Sequence, residues 1–305
     1  MVIDCHAHIM EHLSGIGARG EVRPIGRGKV RFLDGTEQQV IPPLYGDKEF
    51  LAETLLNLMD SAGVDKTVLL HGLLYGLQNE YIFETAAKYP QRFIPSGSLD
   101  PCMEQAEMVL ERLIEYYGFR ILKFELSTGA GMTGLHRDLK IDGEEFEKIY
   151  QRAEQADVTI VFDIGSRGMR SYQIDEVVNA AKRHPDLTIV LCHLLAADGR
   201  ELEGWKADLK KLAACENLVF DITAVPWNVK EAYPFSASLE LVCEAKNIVG
   251  AERMMWGSDV PQLLVIDEYQ KLYEYLFEGN KLSALELDYI LFQTAQRVYL
   301  KERHG

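Results

Sequence analysis

The sequence predicts an α/β fold: a single (β/α)8 TIM barrel with a β-hairpin lid inserted after strand 1. Three observations carry that expectation. Eight short apolar, β-branched runs recur along the 305 residues; helix-like segments separate them; and the polar residues of the runs sit at their C-terminal ends. Strands that alternate with helices pair in parallel, and near-continuous apolar strands belong to a sheet covered on both faces. Eight such units suit a closed barrel, which typically takes ~250 residues as one domain. A doubly wound open sheet would carry a Gly-rich turn after its first strand. Here that strand ends in His-Ala-His.

The first run, "MVIDCHAHI", ends in His6 and His8. Side chains two apart on a strand share a face, so the two imidazoles project together and can grip one metal ion. A pair of surface or hydrogen-bonded histidines is the plainer reading. Residues 11–48 are long for a strand-to-helix connection, and "GRGKVRFLDGTEQQVIPP" reads as a hairpin turning at Asp34-Gly35. Such a lid over a barrel mouth would restrict water and shape a pocket. The runs "KTVLLHGL", "RFIPSGSLD", "GFRILKFEL", "VTIVFDIG", "LTIVLCHLL", "NLVFDITAV" and "RMMWGSDVP" supply strands two to eight. Between them, "NEYIFETAAKYP", "AEMVLERLIEYYG", "GEEFEKIYQRAEQAD", "SYQIDEVVNAAKRHP" and "WKADLKKLAACEN" repeat apolar residues at helical spacing. "AAKYPQRF" and "AAKRHPDLT" both stop a helix at a proline and pass into a strand. The final "LDYILFQTAQRVYLKE" reads as an amphipathic helix that packs on the barrel or on a second subunit.

At the C-terminal ends of the runs stand His6, His8, His71, Asp100, Lys123, Glu125, Asp163, His193, Asp221, Thr223 and Asp259. In a barrel that end is the active-site face. Burying such groups is costly unless they pair or bind a metal. Histidine and carboxylates are zinc ligands, and a catalytic site keeps one position open. Asp259 in "WGSDVP" would come beside His6 and His8 on barrel closure; otherwise it caps a turn before Pro261. His193 would serve as general acid or base near the ion, or as a satisfied core residue. Lys123 and Glu125 alternate on the fourth strand, either as a buried ion pair or reaching a metal or a substrate carboxylate. Asp163 would ligate metal, orient a histidine, or cap the next turn. His12, His136, His184 and His304 are read as surface residues. Arg31 on the hairpin, Arg167 and Arg170 after the fifth strand, and Arg200 after the sixth are each read alone as solvated. Together they hint at an anionic substrate, because the guanidinium fork suits carboxylates. Tyr75 and Trp227 would stack on a ring or seal the pocket.

Composition narrows the partners. A net charge of -15 argues against nucleic acid and anionic membranes. No apolar run reaches the ~18–20 residues of a spanning helix, and no signal-peptide pattern opens the chain. Five dispersed cysteines without CxxC spacing fit a reducing cytoplasm. The expectation is therefore one cytoplasmic domain, 1–305, acting on a small molecule.

The motifs "IDCHAHI", "GVDKTVLLHG", "NEYIFETAAKYPQRFIPSGSLDP", "GFRILKFE", "HPDLTIVLCHL" and "MMWGSDVP" together resemble the second amidohydrolase-related family. These are metal-dependent TIM-barrel enzymes akin to aminocarboxymuconate-semialdehyde decarboxylase. The resemblance runs over essentially the whole chain. It implies metal ligation by His6, His8 and Asp259, an acid/base role for His193, and one divalent ion, zinc most commonly, with manganese or magnesium in some members. It also makes a homodimer plausible. The family's fifth strand usually ends in a metal-binding histidine, and Asp163 stands there instead. Either Asp163 ligates a harder ion, or Glu125 completes the shell, or the site has diverged. The expected function is a metal-dependent hydrolase of a small carboxylated substrate. A nonoxidative decarboxylase of an aromatic or dienoic acid is the alternative, and a non-catalytic binding barrel stands behind both.

Overall fold

The computed structural model describes residues 1–301; His304 lies outside them. Its strands are β1 (Ile3–Ala7), β2 (Gly15–Gly17), β3 (Gly20–Gly26), β4 (Lys29–Phe32), β5 (Glu37–Gln39), β6 (Lys66–Leu69), β7 (Phe93–Pro95), β8 (Ile121–Glu125), β9 (Thr159–Asp163), β10 (Ile189–Leu191), β11 (Leu218–Asp221) and β12 (Met254–Met255). All eight apolar runs became parallel strands, hydrogen-bonded in the orders β1-β6-β7 and β12-β11-β10-β9-β8. Backbone bonds link the two groups at both edges. Gly97 joins the end of β7 to Ile121 and Lys123 of β8, and the amides of Cys5 and Asp259 donate to Trp256 and His6 across β12 and β1.

The helices follow the predicted segments: Asn79–Lys88, Ala106–Glu111 continuing to Tyr116, Glu144–Gln155, Ile174–Arg183 and Leu202–Ala213. Glu144–Gln155 shows why. Three glutamates in its first turn face the positive end of the helix dipole, and Phe146, Ile149, Tyr150 and Ala153 bury one stripe. Helices and outer strand faces form the larger core. A second cluster draws Ile3, Cys5, Val68, Ile94, Ile121, Val161, Val190, Val219 and Met255 from all eight parallel strands, with Ala295, Val298 and Tyr299 of the C-terminal segment packed against them. That segment thus packs on the strands, as one of its two sequence readings expected.

The alternation in the second cluster positions the site. Ile121, Val161 and Val219 face the shared interior, so Lys123, Asp163 and Asp221, two residues on, reach its upper end. Strict alternation in β1 would instead point His6 away, since Ile3 and Cys5 face in. The register of β1 against β6 shifts between Asp4 and Ala7. This irregularity turns His6 to the same side as Cys5, the usual effect of a bulge beside a site.

Residues 11–48 form more than a hairpin. β2, β3, β4 and β5 make a four-stranded antiparallel sheet, and the β4–β5 turn lies at Asp34-Gly35 as the sequence indicated. Gly35 has a φ of 89°, and the Asp34 carboxylate accepts from the Thr36 amide at 2.9 Å. Two histidine readings need correction. His184 is buried, its ring held by Glu154 at 2.8 Å between two helices. His136 is half-buried and meets Asp100 at 2.7 Å. His12 is exposed. Cys5, Cys192 and Cys215 are buried free thiols. No helix among the described residues is long and apolar enough to cross a membrane.

Candidate active site

His6, His8 and Asp259 converge at the upper end of the shared interior, with their ligand atoms within 4.8 Å of one another. Each imidazole has one nitrogen committed elsewhere. His6 Nδ1 donates to the buried carboxylate of Asp221 at 2.8 Å, and His8 Nδ1 donates to the Leu70 carbonyl at 2.5 Å. Because both partners only accept, Nδ1 carries the hydrogen in each ring, and Nε2 holds the lone pair. His8 Nε2 then faces Asp259 Oδ1 at 3.0 Å, two acceptors pointing at each other. A cation between them removes that conflict, and the donor set of two imidazoles and one carboxylate suits a divalent metal. The residues present fit such an ion.

Electrostatics agree with this protonation pattern. Burial and the neighbouring Lys123 push the His6 imidazolium down to about 3, and burial lowers His8. Both rings are therefore neutral at neutral pH. Burial raises Asp259, but the imidazole groups of His8, His193 and His6 around it outweigh burial and lower the carboxyl to about 2. Asp221, likewise buried, is held well below the usual carboxylate range by His6. It also fixes the chain after β10, where its Oδ1 accepts from the His193 and Thr223 amides at 2.9 Å each. His193 sits there with a φ of 60° and its ring 4.9 Å from that of His6. Burial opposes its charged form, but Asp163, Asp259 and Asp221 outweigh burial and raise it. Asp163 lies 3.7 Å from His193 Nε2.

Asp163, His193 and Asp259 line a cavity of about 170 Å³ with His8, Lys123, Glu125, Tyr75, Trp227, Gln38 and Gln262. Lys123 does not pair with Glu125; its ammonium meets His6 Nε2 at 2.8 Å. Glu125 and Asp163 line the cavity but stand outside the His6–His8–Asp259 cluster. Burial and Asp163 raise Glu125 to about 7. Gly72 makes room for it, since a Cβ there would fall 1.7 Å from Glu125 Oε2. Asp259 does not cap a turn: its side chain turns to His8.

Arg31, Arg167 and Arg200 lie at the surface, as the reading of each alone expects. Arg31 is exposed on the antiparallel sheet and paired with Glu37, and Arg167 is paired with Glu201 and Asp208. Neither lines the cavity, because surface guanidinium groups in an acidic chain find carboxylates nearby. Arg200 is exposed and paired with Asp198, yet lines an outer cavity that shares Asp163, His193, Trp227 and Asp259 with the inner one. In sequence Asp221 is only a strand-end carboxylate; that a ligating histidine needs an acceptor for its other nitrogen is the signal that points to it. Gln38 and Gln262 were missed, and no spacing marks them.

Comparison with known proteins agrees with the fold. The model of the amidohydrolase family matches residues 3–301. An amidohydrolase from Burkholderia multivorans, solved with bound zinc, superposes with a TM-score of 0.72 at 20% identity, covering 98% of this chain and 99% of that one. A Pseudomonas putida protein, named provisionally as a 2-pyrone-4,6-dicarboxylic acid hydrolase, gives 0.70 at 19% identity over 99% and 98%. The 5-carboxyvanillate decarboxylase of Sphingomonas paucimobilis gives 0.54 at 16% identity over 80% and 82%. No curated protein matches in sequence.

Proposed function

Because the chain belongs to the amidohydrolase family, we propose that this enzyme is a metal-dependent hydrolase of a small, carboxylated molecule. The observation that carries this reading is the pair of facing acceptors, His8 Nε2 and Asp259 Oδ1, beside His6 Nε2. His6, His8 and Asp259 would hold one divalent ion, zinc first among the choices. Such an ion, when bound, lowers the pKa of water to ~7 and polarises a substrate oxygen. Asp259 takes the proton of the attacking water on its carboxylate. His193, whose protonated form three carboxylates favour, gives its proton to the leaving group and is reprotonated by the one Asp259 holds. Lys123, a buried ammonium at the cavity wall, anchors a substrate carboxylate. Trp227, and Gln38 from the antiparallel sheet, close the cavity from above, so that this sheet serves as the lid of a closed (β/α)8 barrel.

The zinc-loaded protein should open the ring of carboxylated lactones in a substrate panel, and lose that activity on chelation and in Asp259→Ala. Release of carbon dioxide from aromatic acids, without hydrolysis, would overturn the reading in favour of a C–C lyase. One feature favours that second reaction: Glu125, at about 7, is a proton donor inside the cavity, as protonation of a departing carbon requires.

A further inference from the structure

A second group of metal-type side chains lies outside the catalytic cavity. Asp100 and Cys102 belong to the loop after β7, and His136 to the loop after β8. Their ligand atoms all lie within 4.8 Å of one another, and none of the three lines the catalytic cavity. We propose that Asp100, Cys102 and His136 form a second site for a zinc-class ion, which clips these two loops together.

The arrangement is held by backbone. The Cys102 amide donates to Asp100 Oδ1 at 2.9 Å, which sets the thiol beside the carboxylate. The His136 amide donates to the Met132 carbonyl at 2.8 Å, closing a turn that carries the ring to Asp100 Oδ2 at 2.7 Å. Asp100 and His136 are half-buried, with side chains 26% and 32% exposed, while Cys102 is exposed. An ion can therefore enter from solvent and still be partly shielded. A thiolate, an imidazole and a carboxylate together select zinc and its borderline-soft neighbours over magnesium or calcium. On binding, the Cys102 S–H bond breaks, a sulfur–metal bond forms, and the proton passes to solvent. His136 donates the lone pair of Nε2 in place of its present contact with Asp100. The fourth position stays open to water.

The test uses the full chain, stripped with a chelator and titrated with Co2+ and, separately, Zn2+. Absorption spectra and native mass spectrometry follow binding. The expected result is two ions per chain and a near-ultraviolet thiolate-to-cobalt charge-transfer band. Cys102→Ala and His136→Ala should each lower the count from two to one, and Cys102→Ala should remove the band. His6→Ala should also lower the count to one but keep the band, which separates failure of this site from failure of the catalytic one. Cys102→Ser guards against loss of fold, and should reproduce loss of the band with an unchanged circular dichroism spectrum. A wild-type chain with no band, or a band that survives Cys102→Ala, overturns the proposal.

Discussion

Replacing Asp221 by asparagine tests whether the buried carboxylate sets the lone pair of His6. Asparagine keeps an oxygen for the His193 and Thr223 amides, which share Oδ1 of Asp221. Its amide nitrogen then faces His6 Nδ1, where Oδ2 stood at 2.8 Å. An NH2 cannot accept, so the ring must move its hydrogen to Nε2 and lose the lone pair that faces the ligand cluster. What disappears is one hydrogen bond to a charged acceptor in a dry site, roughly 1.5–3 kcal/mol. At about 1.4 kcal/mol per tenfold, metal affinity should fall about 10- to 150-fold. Losing the hydrogen-bond partner of a ligating histidine typically costs ~10–100-fold in metal affinity. Asp221→Ala is less informative. It leaves two buried amides without acceptors at ~1–3 kcal/mol each, so unfolding would obscure binding. Competition with a chromophoric zinc chelator reads the affinity, and a thermal melt confirms the fold. An Asp221→Asn chain that binds zinc within twofold of wild type would refute the argument.

Glu125 gives a pH-dependent outcome. Burial and Asp163 raise it from 4.5 to about 7, so the folded chain holds a proton that the unfolded chain has released. Its contribution is fully present below about 4.5 and is lost as pH rises through 7. In chelated protein, Glu125→Gln should therefore raise the urea midpoint relative to wild type at pH 8 more than at pH 4.5. The difference should be on the order of 3 kcal/mol; equal shifts at both pH values would contradict this. Gly72→Ala should displace Glu125 and lower kcat/KM at least tenfold with zinc content unchanged, read by activity beside elemental analysis. His193→Gln should reduce kcat by ~10²–10⁴ while zinc affinity holds, by steady-state kinetics on a turned-over lactone. Tyr299→Ala, under the eight-strand interior, should cost about 3–5 kcal/mol in urea unfolding; a loss below 1 kcal/mol would mean that the C-terminal segment is not part of the core.

The strands were legible because each parallel strand is buried on both faces and reads as an unbroken apolar run. Their terminal polar residues stand out against that background, and His6, His8, Asp163, His193 and Asp259 are marked in the sequence by that position alone. What stayed hidden depends on contacts. The register shift in β1 that turns His6 beside Cys5 contradicts simple alternation. Asp221 looks in sequence like any strand-end turn former; only the fold brings His6 to it. The arginines say little in sequence, because a guanidinium in an acidic chain is satisfied by whichever carboxylate lies nearest, as Glu37, Asp198 and Asp208 show. The antiparallel sheet was half seen: its Asp34-Gly35 turn has a sequence signature, whereas β2 pairs with β3 by tertiary placement.

His8 and Asp259 are separated by 251 positions. During synthesis the two histidines therefore emerge long before the carboxylate that, on the proposed reading, would complete the ion's cradle. Until Val260 accepts the His8 amide, an ion held by the two histidines would engage no carboxylate from the far strand, so firm loading would follow folding and not nucleate it.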